Sequence, residues 1–146
     1  MEDRSIRKEI TLNIGIDKVW SALTIPNEMK EWYFDVKGFK LKPFNKFYFY
    51  EPNGTNFKHV CRILEIMPQQ RIRYTWSYPE YSKGVSIVSW RLTSLKKNQT
   101  HVALIHSGIE NFEDAGSDLS RANFVAGWKE IIETILPNHL KKQMVF

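Results

Sequence analysis

The feature that most constrains the fold is one long amphipathic helix, predicted near the C-terminal end of a chain that otherwise reads largely as strand. Its apolar stripe consists of residues spaced 4, 3, 1 and 3 apart, namely Phe124, Trp128, Ile131, Ile132 and Ile135. This spacing is typical of one face of a helix with 3.6 residues per turn. Because the preceding segments read as strands, we expect the stripe to pack on a sheet, with any ligand in the space between them.

Alternation of apolar and polar residues predicts the strands. Phe47 and Phe49 face one way, whereas Tyr48 and Tyr50 face the other. The other predicted strands are Ile6–Ile14, Lys58–Ile66, Arg71–Ser77, Val85–Thr93 and Thr100–Ser107. Turn residues separate them, at Pro52-Asn53-Gly54 and at Met67-Pro68-Gln69-Gln70 among others. Consecutive strands joined by short loops indicate an antiparallel meander and an α+β fold.

Two short helices are predicted after the first strand. Asp17 is expected to cap a helix over Lys18–Thr24, and Pro26 suits the first turn of a second helix over Asn27–Trp32. In the C-terminal helix, Pro137 removes a backbone donor and should cause a kink, with Leu140 packing after it.

The strand faces predict which side chains point toward the C-terminal helix. Aromatic residues dominate this set, and each ring removes roughly 150 to 250 Å² from water when buried. The residues expected to line a cavity there, or to fill it as core, are Trp32, Phe47, Phe49, Tyr74, Trp76, Trp90, His106, Phe124, Trp128, Ile131 and Ile132.

Composition narrows the function classes. A chain of 146 residues suits one domain. The net charge of +5 comes without a nucleic-acid motif, so we expect no nucleic-acid partner. The polar N-terminus and strand-sized apolar runs predict a cytoplasmic protein without membrane insertion. Cys61, the single cysteine, is expected to be a buried structural thiol.

His106 is the leading candidate for a catalytic group. It should point inward, where a neutral imidazole can transfer a proton near neutral pH or can simply be hydrogen-bonded in the core. His101 lies five residues away on the opposite face, and no HxxxH or CxxC spacing occurs, so we expect no metal site and no cofactor. Ser107 follows His106 directly and faces away, which argues against a nucleophile pair.

Four segments in order resemble one family: Ile16–Thr24 running on to Trp32, Ile63–Trp76, His106-Ser107-Gly108 and Gly127-Trp128. The chain is similar to the Hsp90-ATPase-activator-homologue branch of the START-like, or polyketide-cyclase-like (SRPBCC), superfamily, from about residue 8 to about 141. The resemblance implies a helix-grip fold, with a curved antiparallel sheet around the C-terminal helix and residues 1–146 as one ligand-binding domain. Relatives often carry Gly-Gly before the Phe-x-Phe strand, where this chain has Pro43-Phe44-Asn45-Lys46, so their substrate classes do not carry over.

Three functions remain open at this stage. The first is binding of a hydrophobic or aromatic small molecule between sheet and helix. The second is a cyclase, aromatase or hydrolase type of enzyme that uses His106 as acid or base. The third and least favoured is an interaction with Hsp90, which only the family resemblance implies. The chain is expected to be a monomer or a homodimer, with Tyr48, Tyr50 or Phe112 as candidates for an exposed dimer patch.

Overall fold

The computed structural model describes residues 4–51 and 57–142. Within these ranges the strands are β1 (Ile6–Leu12), β2 (Lys46–Phe49), β3 (His59–Met67), β4 (Arg71–Ser77), β5 (Val85–Lys96) and β6 (Gln99–Ser107). The α-helices are α1 (Ile16–Thr24), α2 (Pro26–Trp32), α3 (Arg121–Glu130) and α4 (Leu136–Lys142). Two 3₁₀ segments, Ile109–Ala115 and Ser117–Leu119, precede α3, and a π-helical segment, Ile131–Ile135, joins α3 to α4.

All these strands form one antiparallel sheet in the order β1-β6-β5-β4-β3-β2. Strands β2 to β5 are each paired with the next strand along the chain, as the short loops predicted. Strand β1 completes the sheet beside β6, where Ile6 pairs with His106 and Leu12 with Thr100. The predicted architecture, a sheet with two short helices after the first strand and a C-terminal helix, is confirmed.

One face of the sheet carries the core, as the alternation predicted. The inward residues of β4, β5 and β6 are buried: Ile72, Tyr74, Trp76, Val88, Trp90, Leu92, Val102, Leu104 and His106. Phe47 and Phe49 point into the same core, while Tyr48 and Tyr50 are exposed on the outer face. Cys61 is buried, and desolvation raises the pKa of its thiol, so the prediction of a structural thiol is confirmed.

The turn between β3 and β4 shows the predicted break at Pro68. The Gln70 amide donates to the Met67 carbonyl at 2.8 Å, and Gln69 has a φ of 60°. A proline followed by a residue with positive φ indicates a type II turn. The predicted turn at Pro52-Asn53-Gly54 lies outside the described residues.

Two local predictions are wrong. Helix α1 begins at Ile16, because the Gly15 carbonyl accepts from the amides of Lys18 and Val19; Asp17 therefore lies inside the first turn instead of capping it. Phe112, expected on the surface, is fully buried. It lies in a 3₁₀ segment, where side chains three apart share a side, so it enters the core together with Ile109.

The C-terminal helix runs from Arg121 to Lys142 with the π-helical segment in its middle. The Leu136 amide donates to the Ile131 carbonyl, five residues back, just before Pro137. In a regular α-helix the proline ring clashes with the carbonyl four residues earlier, and the wider turn relieves that clash. The predicted disruption at Pro137 thus takes the form of π turns. Over the described ranges, the helices are too short or too polar to cross a bilayer.

Candidate functional site

The centre of the space between sheet and helix is packed with aromatic rings. Trp90 and Trp128 meet edge to face with centroids 6.1 Å apart, and Trp76 lies 5.4 Å from Trp128. The Trp90 indole donates to the Tyr74 hydroxyl at 3.0 Å, and that hydroxyl shares a hydrogen bond of 2.9 Å with Tyr33. Burial raises the pKa of both phenols, so they are neutral hydrogen-bonding groups.

His106 is held in this packed region by both ring nitrogens. The Trp128 indole N–H, which can only donate, donates a hydrogen bond to Nδ1 at 2.9 Å. The proton of the neutral ring therefore sits on Nε2, which donates to the Ser86 hydroxyl at 2.7 Å. The Ser86 hydroxyl in turn donates to the Trp76 carbonyl at 3.0 Å. His106 has no exposed surface, and burial lowers its pKa to about 3. This arrangement suits a core histidine better than a proton-transfer group.

The other predicted cavity residues lie around the same cluster. Trp32 extends it toward α2, with its ring 6.2 Å from Trp90 and its indole bonded to the Ala22 carbonyl. Ile132 is fully buried, whereas Phe124 and Ile131 are only partly buried. The predicted set is therefore one neighbourhood, and most of it serves as core.

Open space remains at one end of the cluster, between β3, the end of β4 and α3. This recess has a volume of about 200 Å³ and is lined by Glu51, Phe57, His59, Tyr78, Leu119, Asn123 and Phe124. Phe124 is the one predicted cavity residue in the lining. We call this space the β3–α3 recess.

Two buried polar side chains lie in the wall of the β3–α3 recess. His59 donates from Nδ1 to the Phe57 carbonyl at 2.9 Å, and burial lowers its pKa to about 4. Tyr78 accepts a hydrogen bond of 2.8 Å from the Trp76 indole, and burial raises the pKa of its phenol. Both groups are therefore neutral near pH 7. A small apolar space with a few oriented polar groups is the usual form of a ligand site.

His59 and Tyr78 are not among the predicted cavity residues, although the alternation of the strands contains the signal. His59 shares the inward face of β3 with Cys61 and Ile63. Tyr78 continues the inward series of Ile72, Tyr74 and Trp76 one step past the end of β4. Phe57 and Leu119 lie outside the strands, where alternation does not assign a direction.

Other recesses lie away from these inward polar groups. One of about 720 Å³ separates α2 from α4 and is lined by Glu31, Trp32, Thr134, Ile135, Asn138, His139 and Lys142. Another of about 360 Å³ is formed by Arg4 and the segment from Ile109 to Arg121. In the described parts of the chain, His, Cys, Asp and Glu side chains do not gather in groups of three that could hold a metal ion.

The fold matches several solved structures of low sequence identity. The protein MLL2253 from Mesorhizobium loti is 23% identical with a TM-score of 0.77, and the match covers 95% of this chain and 98% of that one. DynU16, from the dynemicin biosynthetic locus, is 20% identical with a TM-score of 0.77; the match covers 96% of this chain but 48% of DynU16. PFC0360w, an HSP90 activator from Plasmodium falciparum, is 18% identical with a TM-score of 0.69, covering 92% and 91%.

These structural matches establish the helix-grip fold. No curated protein shows significant sequence similarity to the chain. The family model described as activator of Hsp90 ATPase homolog 1-like protein matches residues 13–141, which is nearly the whole chain. The resemblance seen in the four sequence segments is thereby confirmed, and the chain belongs to the activator of Hsp90 ATPase homolog 1-like family.

Proposed function

We propose that this protein binds a small apolar or aromatic molecule in the β3–α3 recess. The observation that carries the proposal is the pairing of apolar walls, Phe57, Leu119 and Phe124, with the buried polar groups of His59 and Tyr78. Apolar walls supply binding energy, and the few polar groups orient the ligand. Packed rings around Trp90 and Trp128 fill the centre of the space between sheet and helix, so a ligand would have to bind at its end.

The volume bears on the size of the ligand. A recess of about 200 Å³ is below the common range of roughly 300 to 1,000 Å³ for small-molecule sites. It suits a molecule with one ring, or the end of a longer molecule whose remainder lies outside. Ligands of these two kinds belong in the first screen.

The test is a screen of one-ring aromatics, fatty acids and polyketide-like compounds by thermal shift, because a ligand that binds the folded state raises the melting temperature. Hits are then measured by titration calorimetry on two matched variants. Asn123→Trp places an indole at the rim of the β3–α3 recess, and Asn138→Trp does so at the recess between α2 and α4. Both asparagines are exposed and helical.

We expect Asn123→Trp to weaken binding at least tenfold and Asn138→Trp to leave it unchanged. Equal effects of the two variants, or the absence of any binder in the screen, would overturn the proposal.

The enzymatic alternative receives less support from the geometry. His106, its candidate acid or base, has both nitrogens bonded within the protein and lies out of contact with solvent. A general acid or base must reach the proton that it transfers.

The family supports a second candidate, an interaction with Hsp90. Its test is the ATPase rate of Hsp90 from the same organism with and without this protein. Stimulation would support an activator role, and an unchanged rate together with no binding would exclude it. Fold alone does not decide between the two candidates.

A further inference from the structure

The Tyr78 hydroxyl is a buried donor with an unused hydrogen. An indole N–H can only donate, so in the bond with Trp76 the Tyr78 oxygen accepts and its own hydrogen stays free. Among the side chains and backbone groups that the structure describes, the hydroxyl has no second hydrogen-bond partner. Tyr78 is 3% exposed and lines the β3–α3 recess. A buried donor without an acceptor costs free energy, so an acceptor in the recess would stabilise the folded state.

The surroundings of Tyr78 disfavour a charged acceptor. The described lining contains one acid, Glu51, and no lysine or arginine. Burial keeps His59 and Tyr78 neutral near pH 7, since it lowers the pKa of the first and raises that of the second. An anion here would lose its hydration without gaining a cationic partner, and Glu51 would repel it.

We propose that the ligand of the β3–α3 recess presents an uncharged oxygen acceptor, such as the carbonyl of an aromatic ketone, to the Tyr78 hydroxyl. This inference rests on the proposed function and adds the ligand's chemical class. Apolar contacts with Phe57, Leu119 and Phe124 hold the body of the ligand, and one hydrogen bond from Tyr78 selects its oxygen.

Three probes of similar size separate these contributions: acetophenone, which has a carbonyl; ethylbenzene, which has none; and benzoate, which is charged. Their affinities are measured by NMR titration on the unaltered protein, on Tyr78→Phe and on the control Tyr81→Phe. Tyr81 is an exposed neighbour whose ring contacts Phe57 but does not line the recess.

We expect acetophenone to bind more tightly than benzoate. We expect Tyr78→Phe to weaken acetophenone roughly two- to tenfold, the value of one neutral hydrogen bond, and to leave ethylbenzene unchanged. Tyr81→Phe should change neither. The carbonyl ¹³C resonance of labelled acetophenone bound to the unaltered protein should lie downfield of its position in an apolar solvent such as cyclohexane, because the carbonyl accepts a hydrogen bond. This comparison tests the hydrogen bond even if Tyr78→Phe does not fold.

The outcomes distinguish the two proposals. If no probe binds, or if Asn123→Trp does not affect the binding, the β3–α3 recess is not a ligand site and the proposed function fails. If acetophenone and ethylbenzene bind there, but Tyr78→Phe affects them equally or the bound carbonyl resonates at its position in an apolar solvent, the recess binds ligands without this hydrogen bond. The inference then fails alone, as it does if benzoate binds most tightly.

Discussion

At the scale of single residues, His106 shows how a chemically versatile side chain becomes a structural one. Its ring joins α3 to the sheet, through Trp128 on the helix and through Ser86 on β5. Each polar atom in the series Trp128, His106, Ser86 and the Trp76 carbonyl has a partner, which is the condition for burying polar groups without a large loss of stability. Because protonation of His106 would convert the Nδ1 acceptor into a donor facing the Trp128 N–H, the site favours the neutral ring.

This role predicts an energetic coupling between His106 and Trp128. His106→Phe should destabilise the protein by about 1–3 kcal/mol or more, since it leaves the Trp128 N–H buried without an acceptor. Trp128→Phe removes that N–H, so the double variant should be less destabilised than the sum of the single variants by about 1–3 kcal/mol. Equilibrium unfolding in urea measures all three variants.

The unaltered protein and Ser107→Ala, which changes the neighbouring residue on the other face of β6, serve as references. Additive losses would show that the hydrogen bond contributes no stability. A folded His106→Phe of unchanged stability would contradict the core role and return His106 to consideration as a catalytic group.

At the scale of elements, the π-helical segment determines which side chains the C-terminal helix buries. The most buried positions are four apart, at Trp128, Ile132, Leu136 and Leu140. In an uninterrupted α-helix, positions four apart drift by about 40° per step, or about 120° from the first to the last. The π turns hold more residues per turn and offset this drift, so all four can face the core.

The same segment explains why the period of the helix overstates the burial of two apolar residues. A period of 3.6 predicts that Ile131 and Ile135 face the core, but both are only partly buried. Within the stripe, Trp128 and Ile132 are confirmed as buried, and so is the packing of Leu140 after Pro137. Proline signals a disruption, but it does not indicate whether the helix bends or widens, because that depends on the sheet on which the helix packs.

A pair of alanine substitutions tests this phase shift. Leu136→Ala should lower the free energy of unfolding by about 2–5 kcal/mol, the range for a buried leucine, because Leu136 is fully buried. Ile135→Ala should cost less than half as much, because part of its side chain is already in water. Urea unfolding of both variants measures the difference. An uninterrupted α-helix predicts the reverse order, since Ile135 would then lie nearer the centre of the stripe, so a larger loss for Ile135→Ala would refute the phase shift.

At the scale of the whole molecule, the fold was more predictable than the site. Alternation along β4, β5 and β6 fixes which side chains face the helix, and it placed Tyr74, Trp90 and His106 correctly. It does not fix how much space remains among them, because that depends on how rings from α2, α3 and the sheet pack together. The β3–α3 recess lies at an end of the sheet, where loop residues such as Phe57 and Leu119 complete the wall and strand periodicity no longer applies.

The burial of two neutral histidines makes the stability of the molecule depend on pH. The folded-state pKa values of His106 and His59 are about 3 and about 4, below the ordinary value of 6.5. At a pH between each folded-state pKa and 6.5, the unfolded chain binds a proton that the folded protein does not. Stability is therefore highest above pH 6.5 and falls as the pH decreases. At pH 5 the loss should be about 2 kcal/mol for each histidine, since one pKa unit corresponds to about 1.36 kcal/mol.

Carboxylates change the stability of the protein at lower pH than the histidines do. The pKa of Glu9 is lowered to about 2 from 4.5, chiefly by its hydrogen bond to Arg7, so its stabilising effect is lost only as the pH falls below about 4.5. The range from pH 6.5 to 5 therefore separates the effect of the two buried histidines from that of Glu9.

Urea unfolding between pH 6.5 and pH 5 should give a slope of the free energy of unfolding that approaches about 2.7 kcal/mol per pH unit near pH 5, the value for an uptake of two protons. His59→Asn, which keeps a side-chain N–H donor near the Phe57 carbonyl, should halve this slope. A flat profile from pH 7 to 5 would mean that both imidazoles are protonated in the folded protein, which would contradict the neutral His106 bonded to Trp128 and the neutral His59 in the recess wall.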